Sequence, residues 1–237
     1  MLAMGLLRPM TAYMRRTYSP RTHARFDEAV ANTRAHGGVW EYAVTLMFRT
    51  HMLVDTPVGI TGIHEDVAEL RVLSRRIGDR YLRAQVSSAA GEAGMMHGRY
   101  EEARTAYEDA LEPAREVGAH AEAPFLITRL AELSYHAGDL DPARKGLDQA
   151  EAEAERQHVL DAHVYVHFLR ATVALAAGEI PQARRYADLA CGAEADGSRP
   201  AQFEAALMAL SAGITAVEPS GGPSRGCAGR PGRCGWP

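Results

Sequence analysis

Apolar residues along this chain recur three or four positions apart, in a series of short segments that turn residues separate. Between residues 39 and 54, for example, Trp40, Ala43, Met47 and other apolar side chains fall on one face of a helix. We therefore predict an all-α fold, with helices over residues 23–36, 39–54, 64–77, 81–97, 99–117, 121–137, 142–157, 163–177, 181–194 and 201–217.

Three of these segments share a pattern that repeats every forty residues without a gap. Each copy has a glycine, an alanine five positions later and a second alanine twelve positions later. Self-similarity at a fixed period indicates stacked supersecondary units, so we predict an α-solenoid of antiparallel helix hairpins with a period of about forty residues. The residues of this repeat signature are Gly98, Ala103, Ala110, Gly138, Ala143, Ala150, Gly178, Ala183 and Ala190.

Each residue type in the signature has a physical reason to recur. The glycines follow apolar helical segments. A glycine at the end of a helix can take the left-handed conformation that terminates it without steric cost. Gly38, Gly78 and Gly118 are also forty residues apart and are expected to close the second helices. The alanines are expected where two helices cross closely. Asp141 can cap the helix that Pro142 helps to begin.

The unit around Gly98 resembles the tetratricopeptide repeat, lengthened from the usual period of about 34 residues. Positions 91, 131 and 171 hold the small residue that the first helix of this repeat requires. The tryptophan of the first helix is missing. Pro113 lies two positions before the place where this repeat usually has its helix-breaking proline. The residues that carry the resemblance are Gly91, Gly98, Tyr100, Ala103, Tyr107 and Ala110.

A narrower resemblance covers approximately residues 20–215. Residues 26–30, 75–80 and 98–110 are similar to the C-terminal repeats of AfsR-type, antibiotic-regulatory activators of bacteria and of LuxR/MalT-like regulators. The resemblance implies that a full-length relative would carry a winged-helix DNA-binding domain, a transcriptional activation domain and an NTPase module. Their motifs are missing here, so we expect a detached sensor array, and the unusual tail indicates a truncated or frame-shifted product.

Composition limits the partners and the compartment. The net charge of −4 gives no reason to expect nucleic-acid or membrane binding. Three cysteines make no disulfide framework, which indicates a reducing cytoplasm. We divide the chain into a poorly defined segment over residues 1–20, a repeat domain over residues 21–217 and a disordered Gly/Pro/Arg tail over residues 218–237.

The chain carries none of the common catalytic motifs, so we predict that it is not an enzyme. It has no phosphate-binding loop, no dinucleotide fingerprint and no nucleophile elbow. His163 and His167 are four residues apart, close to His158 and Asp161, which is a spacing that could ligate a metal. No HExxH motif or cysteine pair accompanies these histidines. We therefore predict neither a metal site nor a cofactor.

What remains is a surface for a protein or peptide partner. The first helices of stacked hairpins line a concave groove, and the six candidates on it are Gln85, Ser88, Arg129, Glu132, Tyr165 and Arg170. Three functions stay open. We favour a non-catalytic interaction or sensor module that modulates transcription without binding DNA. The alternatives are a free-standing adaptor, and a metal-binding protein or enzyme that uses residues 158–167. The sequence also leaves a homodimer open.

Overall fold

The computed structural model describes residues 20–53, 59–192 and 201–217, and within these ranges the protein is all-helical, as predicted. The helices are α1 (Pro20–His36), α2 (Val39–Leu53), α3 (Gly59–Ile77), α4 (Arg80–Met96), α5 (Tyr100–Glu116), α6 (Ala123–His136), α7 (Leu140–Gln157), α8 (Leu160–Ala176), α9 (Ile180–Gly192) and α10 (Ala201–Val217). A short 3₁₀ turn, His120–Glu122, precedes α6. No described helix is long and apolar enough to cross a membrane.

Each predicted helix has an observed counterpart, and the corrections concern where helices begin. Helix α3 begins at Gly59, five residues before its predicted start at residue 64, and α1 and α8 each begin three residues earlier than predicted. Asp141 does not cap α7, since the helix begins one residue earlier and Asp139 is its N-cap. The proposed N-terminal segment (apart from Pro20), the turn before α10 and the Gly/Pro/Arg tail lie outside the described residues.

Helices that are adjacent in the sequence pack against each other. The chain divides into two compact units, Met1–Leu133 and Ser134–Pro237, with the boundary inside α6. In the first unit α1 to α5 pack in consecutive pairs, and α2 also contacts α4. In the second unit α7 to α10 pack in the same consecutive manner, and α10 also contacts α8.

Left-handed residues separate most of these helices, as the glycine pattern predicts. Gly98 has a φ of 67°, Gly138 of 84° and Gly178 of 75°. Gly38 differs, because it does not take a positive φ. Its carbonyl oxygen already accepts a hydrogen bond from the backbone N–H of Tyr42, 3.1 Å away, so it belongs to the start of α2.

The signature alanines lie in the interior of the helical packing. All six are fully buried: Ala103, Ala110, Ala143, Ala150, Ala183 and Ala190. A Cβ added to Gly94 of α4 would lie 3.0 Å from the Cβ of Ala103. One added to Gly91 would lie 2.4 Å from Cε1 of Tyr107, whose ring is fully buried. Close approach of α4 and α5 therefore depends on small residues.

Cys191 of α9 is disulfide-bonded. The sequence, with three cysteines, predicts no disulfide framework, so this bond differs from the expectation.

Candidate functional site

Arg129 joins two of the predicted first helices in the first unit. Its Nε lies 2.9 Å from Oε1 of Glu92 in α4, and its Nη1 lies 2.8 Å from Oε2 of Glu132 in α6. The Arg129 side chain as a whole is 36% exposed, which leaves part of it accessible to a partner. The Glu92 carboxylate raises the pKa of Arg129 above its usual value, against the opposing effect of burial. The group therefore stays charged at every physiological pH.

Ser88 and Gln85 are the other two candidates in this unit, and they differ in their exposure to solvent. Ser88 is half-buried in α4, one helical turn before Glu92. Gln85 is only 9% exposed, so it offers a partner little surface. Ser88, Glu92, Arg129 and Glu132 together form a charged strip on α4 and α6, which we call the Arg129 strip.

In the second unit Tyr165 belongs to an aromatic contact. Its ring centroid lies 4.6 Å from that of Phe203 in α10, and the ring of Phe168 lies 5.3 Å from the same phenylalanine. Tyr165 is therefore half-buried between α8 and α10. Its role in packing the last described helix is visible in the structure, whereas its role in binding stays a prediction.

Arg170 points toward neighbouring helices. Its Nη2 donates to Oδ1 of Asp148 at 2.8 Å and to Oε2 of Glu151 at 2.7 Å, both in α7. Its guanidinium also lies over the ring of Tyr186 in α9, 5.5 Å from the centroid. These contacts join Arg170 to two neighbouring helices, α7 and α9. With 15% of its side chain exposed, Arg170 mainly holds α7, α8 and α9 together.

The same region brings together two of the histidines that the sequence singled out. His163 and His167 lie on one face of α8, with ring centroids 6.2 Å apart. Glu151 of α7 joins them, and one ligand atom from each of the three residues lies within 4.8 Å of the others. His158 and Asp161, the other two residues of the predicted cluster, are exposed and do not belong to this group.

Burial gives the cluster its electrostatic character. It lowers the pKa of His167, while the Glu151 carboxylate acts in the opposite direction. The neutral imidazole is therefore favoured at neutral pH. Nδ1 of His167 is buried without a hydrogen-bond partner.

Sequence reasoning missed the two acidic residues that complete these groups, Glu92 and Glu151. Each comes from a helix that precedes its basic or histidine partner in the sequence, and only the packing of the helices brings the side chains together. The available signal was weak: Glu92 lies four residues after Ser88, and Glu151 follows the signature alanine Ala150.

Comparison of the chain with family models finds no match, and comparison with curated proteins finds none either.

Proposed function

We propose that the chain is an array of stacked helix hairpins, with a period of about forty residues, that binds a protein or peptide partner without catalysing a reaction. The observation that carries this proposal is the spacing of the left-handed residues. In the described part of the chain, positive φ angles occur at Gly78, Gly98, Gly118, Gly138, His158 and Gly178. These positions are twenty residues apart, which is the spacing that helix hairpins of uniform length require.

Polar contacts between side chains 35 residues apart in the sequence give further support. The side chains of Arg34 and Glu69 form an ion pair across 35 residues, and so do those of Arg144 and Glu179. Arg99 contacts the imidazole of His64 across the same 35 residues. The His64–Arg99 and Arg144–Glu179 contacts also lie in the same register, eighty residues apart, as a repeating unit of forty residues would require.

The Arg129 strip is the surface that we assign to the partner. It combines a serine, two carboxylates and a partly exposed arginine on two first helices, so it presents both signs of charge within a short distance. Such a surface suits a polar or charged segment of another protein. The resemblance to the repeats of bacterial activators favours a regulatory partner, with modulation of transcription through protein contact as the outcome.

Affinity capture with three forms of the protein tests this function. Arg129→Glu places three acidic side chains together and should abolish capture of a specific partner. Arg115→Glu makes the same charge change at an exposed position of α5 and should leave capture intact. Circular dichroism checks that both variants remain folded. Ser88→Arg gives a second, independent change in the strip if Arg129→Glu does not fold.

The identity of the captured protein separates the two interaction functions. Recovery of an activator or of its NTPase module supports the regulatory role, whereas a partner unrelated to transcription supports a free-standing adaptor. If wild type, Arg129→Glu and Arg115→Glu capture the same proteins, the Arg129 strip is not the binding surface. Turnover of a small molecule by the purified chain would contradict the proposal as a whole.

A further inference from the structure

We propose that Glu151, His163 and His167 form a binding site for a zinc ion that joins α7 to α8. This site goes beyond the proposed partner surface and does not depend on it. The three residues lie within the second unit, on two helices that pack directly against each other.

The ligand atoms match the preference of zinc. Two imidazoles and one carboxylate are a known combination for this ion, with water in the fourth position. Magnesium and calcium favour sites made entirely of oxygen atoms, so two histidines select against them. A site of this composition therefore points to a transition metal rather than to an alkaline-earth ion.

The geometry requires only small side-chain movements. A tetrahedral zinc with bonds of about 2.0–2.1 Å keeps its ligand atoms roughly 3.4 Å apart. One ligand atom of each residue already lies within 4.8 Å of the others. His163 and His167 occupy adjacent turns on one face of α8, so both rings can turn toward the same point. All three side chains are half-buried, which leaves them room to adjust.

A hydrogen bond from a neighbouring arginine holds the Glu151 carboxylate in position. Nη2 of Arg170 holds Oε2 of Glu151 at 2.7 Å, which leaves the other carboxylate oxygen available. Asp148 shares this guanidinium at 2.8 Å. The three groups joined by these hydrogen bonds, Glu151, Asp148 and Arg170, together carry a net charge of −1.

The imidazoles are also available to a metal. In the described part of the chain, the rings of His163 and His167 contact each other, the ring of His167 also stacks on that of Tyr186, and Nδ1 of His167 is buried without a hydrogen-bond partner. A zinc ion would supply the partner that this nitrogen atom lacks. Because its ligands come from α7 and α8, the bound ion would link the two helices and stabilise their contact.

Zinc binding by the full-length, chelator-treated protein tests the proposal. Isothermal titration with zinc chloride should give one site per chain, and zinc should raise the melting temperature measured by circular dichroism. His163→Gln and Glu151→Gln each remove one ligand and should weaken binding at least about 100-fold, because loss of a supporting group alone already costs about 10–100-fold. Magnesium chloride at the same concentration should have no effect.

His158→Gly is the matched control, since it removes a nearby imidazole that does not belong to the cluster. This variant should bind zinc as tightly as wild type. The proposal is wrong if wild type does not bind zinc, if His163→Gln and Glu151→Gln bind it unchanged, or if binding is lost only when the cysteines are replaced. Melting of the chelator-treated variants without metal shows whether a loss of binding reflects a loss of folding.

Discussion

At the scale of single residues, backbone conformation decides which side chain a turn can accept. His158 ends α7 with a φ of 55°, and among the described residues it is the only left-handed one that is not glycine. In the forty-residue register it occupies the same position as Gly78 and Gly118. Its place beside the histidines of α8 in the sequence therefore reflects a turn rather than a metal ligand.

His158→Gly should stabilise the protein. A left-handed conformation costs an L-residue about 1–2 kcal/mol, and glycine avoids this cost while losing about 0.5–1 kcal/mol in conformational entropy. The net gain in the free energy of unfolding should be roughly 0.5–1 kcal/mol, measured by urea denaturation. Gly98→Ala should change stability in the opposite direction, because Gly98 has a φ of 67°. Equal effects of the two substitutions would contradict this explanation.

Gly91→Ala should destabilise the contact between α4 and α5. The new Cβ would lie 2.4 Å from Cε1 of the buried Tyr107, so either the ring or the helix must move. Overpacking of this kind costs about 1–3 kcal/mol.

Gly213→Ala is the control for this substitution. It adds the same methyl group in α10, where nothing lies within 4 Å of the new Cβ. Improved helix propensity should stabilise this variant by about 0.5–1 kcal/mol. Thermal melts that shift in the same direction for both variants would show that the packing at Gly91 is not limiting.

At the scale of the helices, burial should decide how much an ion pair contributes to the free energy of unfolding. Two ion pairs that connect α3 to an earlier helix allow the comparison. Arg49 of α2 holds Asp66 of α3 through two hydrogen bonds, with Nε 3.0 Å from Oδ2 and Nη2 2.5 Å from Oδ1. The Asp66 side chain is 9% exposed. In contrast, the pair between Arg34 of α1 and Glu69 of α3 is 63% and 36% exposed.

Arg49→Ala should therefore lower the free energy of unfolding by about 1–3 kcal/mol, because it leaves a buried carboxylate without its partner. Arg34→Ala should cost about 0–1 kcal/mol. Denaturant titration of both variants measures the difference. If they lose the same stability, burial of Asp66 does not determine the strength of its pair.

The loss in Arg49→Ala should also depend on pH. Burial raises the pKa of Asp66 above its usual 3.8, and Arg49 opposes this rise. A carboxyl group with a raised pKa stabilises the folded state at low pH and loses that effect as pH rises through the folded-state value. The deficit of the variant should thus shrink when the pH falls toward 4, where protonation removes the buried charge. A deficit that grows on acidification would contradict this assignment.

The helices were predictable because local signals agree with one another. Apolar spacing, turn glycines and signature alanines all mark the same boundaries, as at Gly98 and Ala103. The start of α3 was not predictable, because Gly59 and Gly62 are poor helix formers and tertiary packing overrides their propensity. Glu92 and Glu151 could not be assigned to a site because their partners depend on how neighbouring helices pack.

At the scale of the whole molecule, the proposed period can be tested by removing one copy of it. Deletion of residues 100–139 joins Arg99 to Leu140, which takes the place of Tyr100, the equivalent position in the forty-residue register. A stacked array should survive this change, with fewer helices but with cooperative unfolding.

Deletion of residues 100–129 is the control, because it joins Arg99 to the middle of α6 and breaks the register. This protein should lose cooperative thermal unfolding, as followed by far-ultraviolet circular dichroism. If the shorter deletion folds as well as the longer one, the forty-residue period does not govern assembly.

The close approach of Gly91 and Tyr107 has a consequence for how this helical protein could diversify. Eighty residues further along the chain, the corresponding positions are Ala171 and Ala187, both fully buried. Transplanting α8 into the place of α4 would push a methyl group into the tyrosine ring, whereas moving a complete hairpin would keep each small residue with its own neighbour. Gene duplication and recombination should therefore exchange whole hairpins of this protein more readily than individual helices.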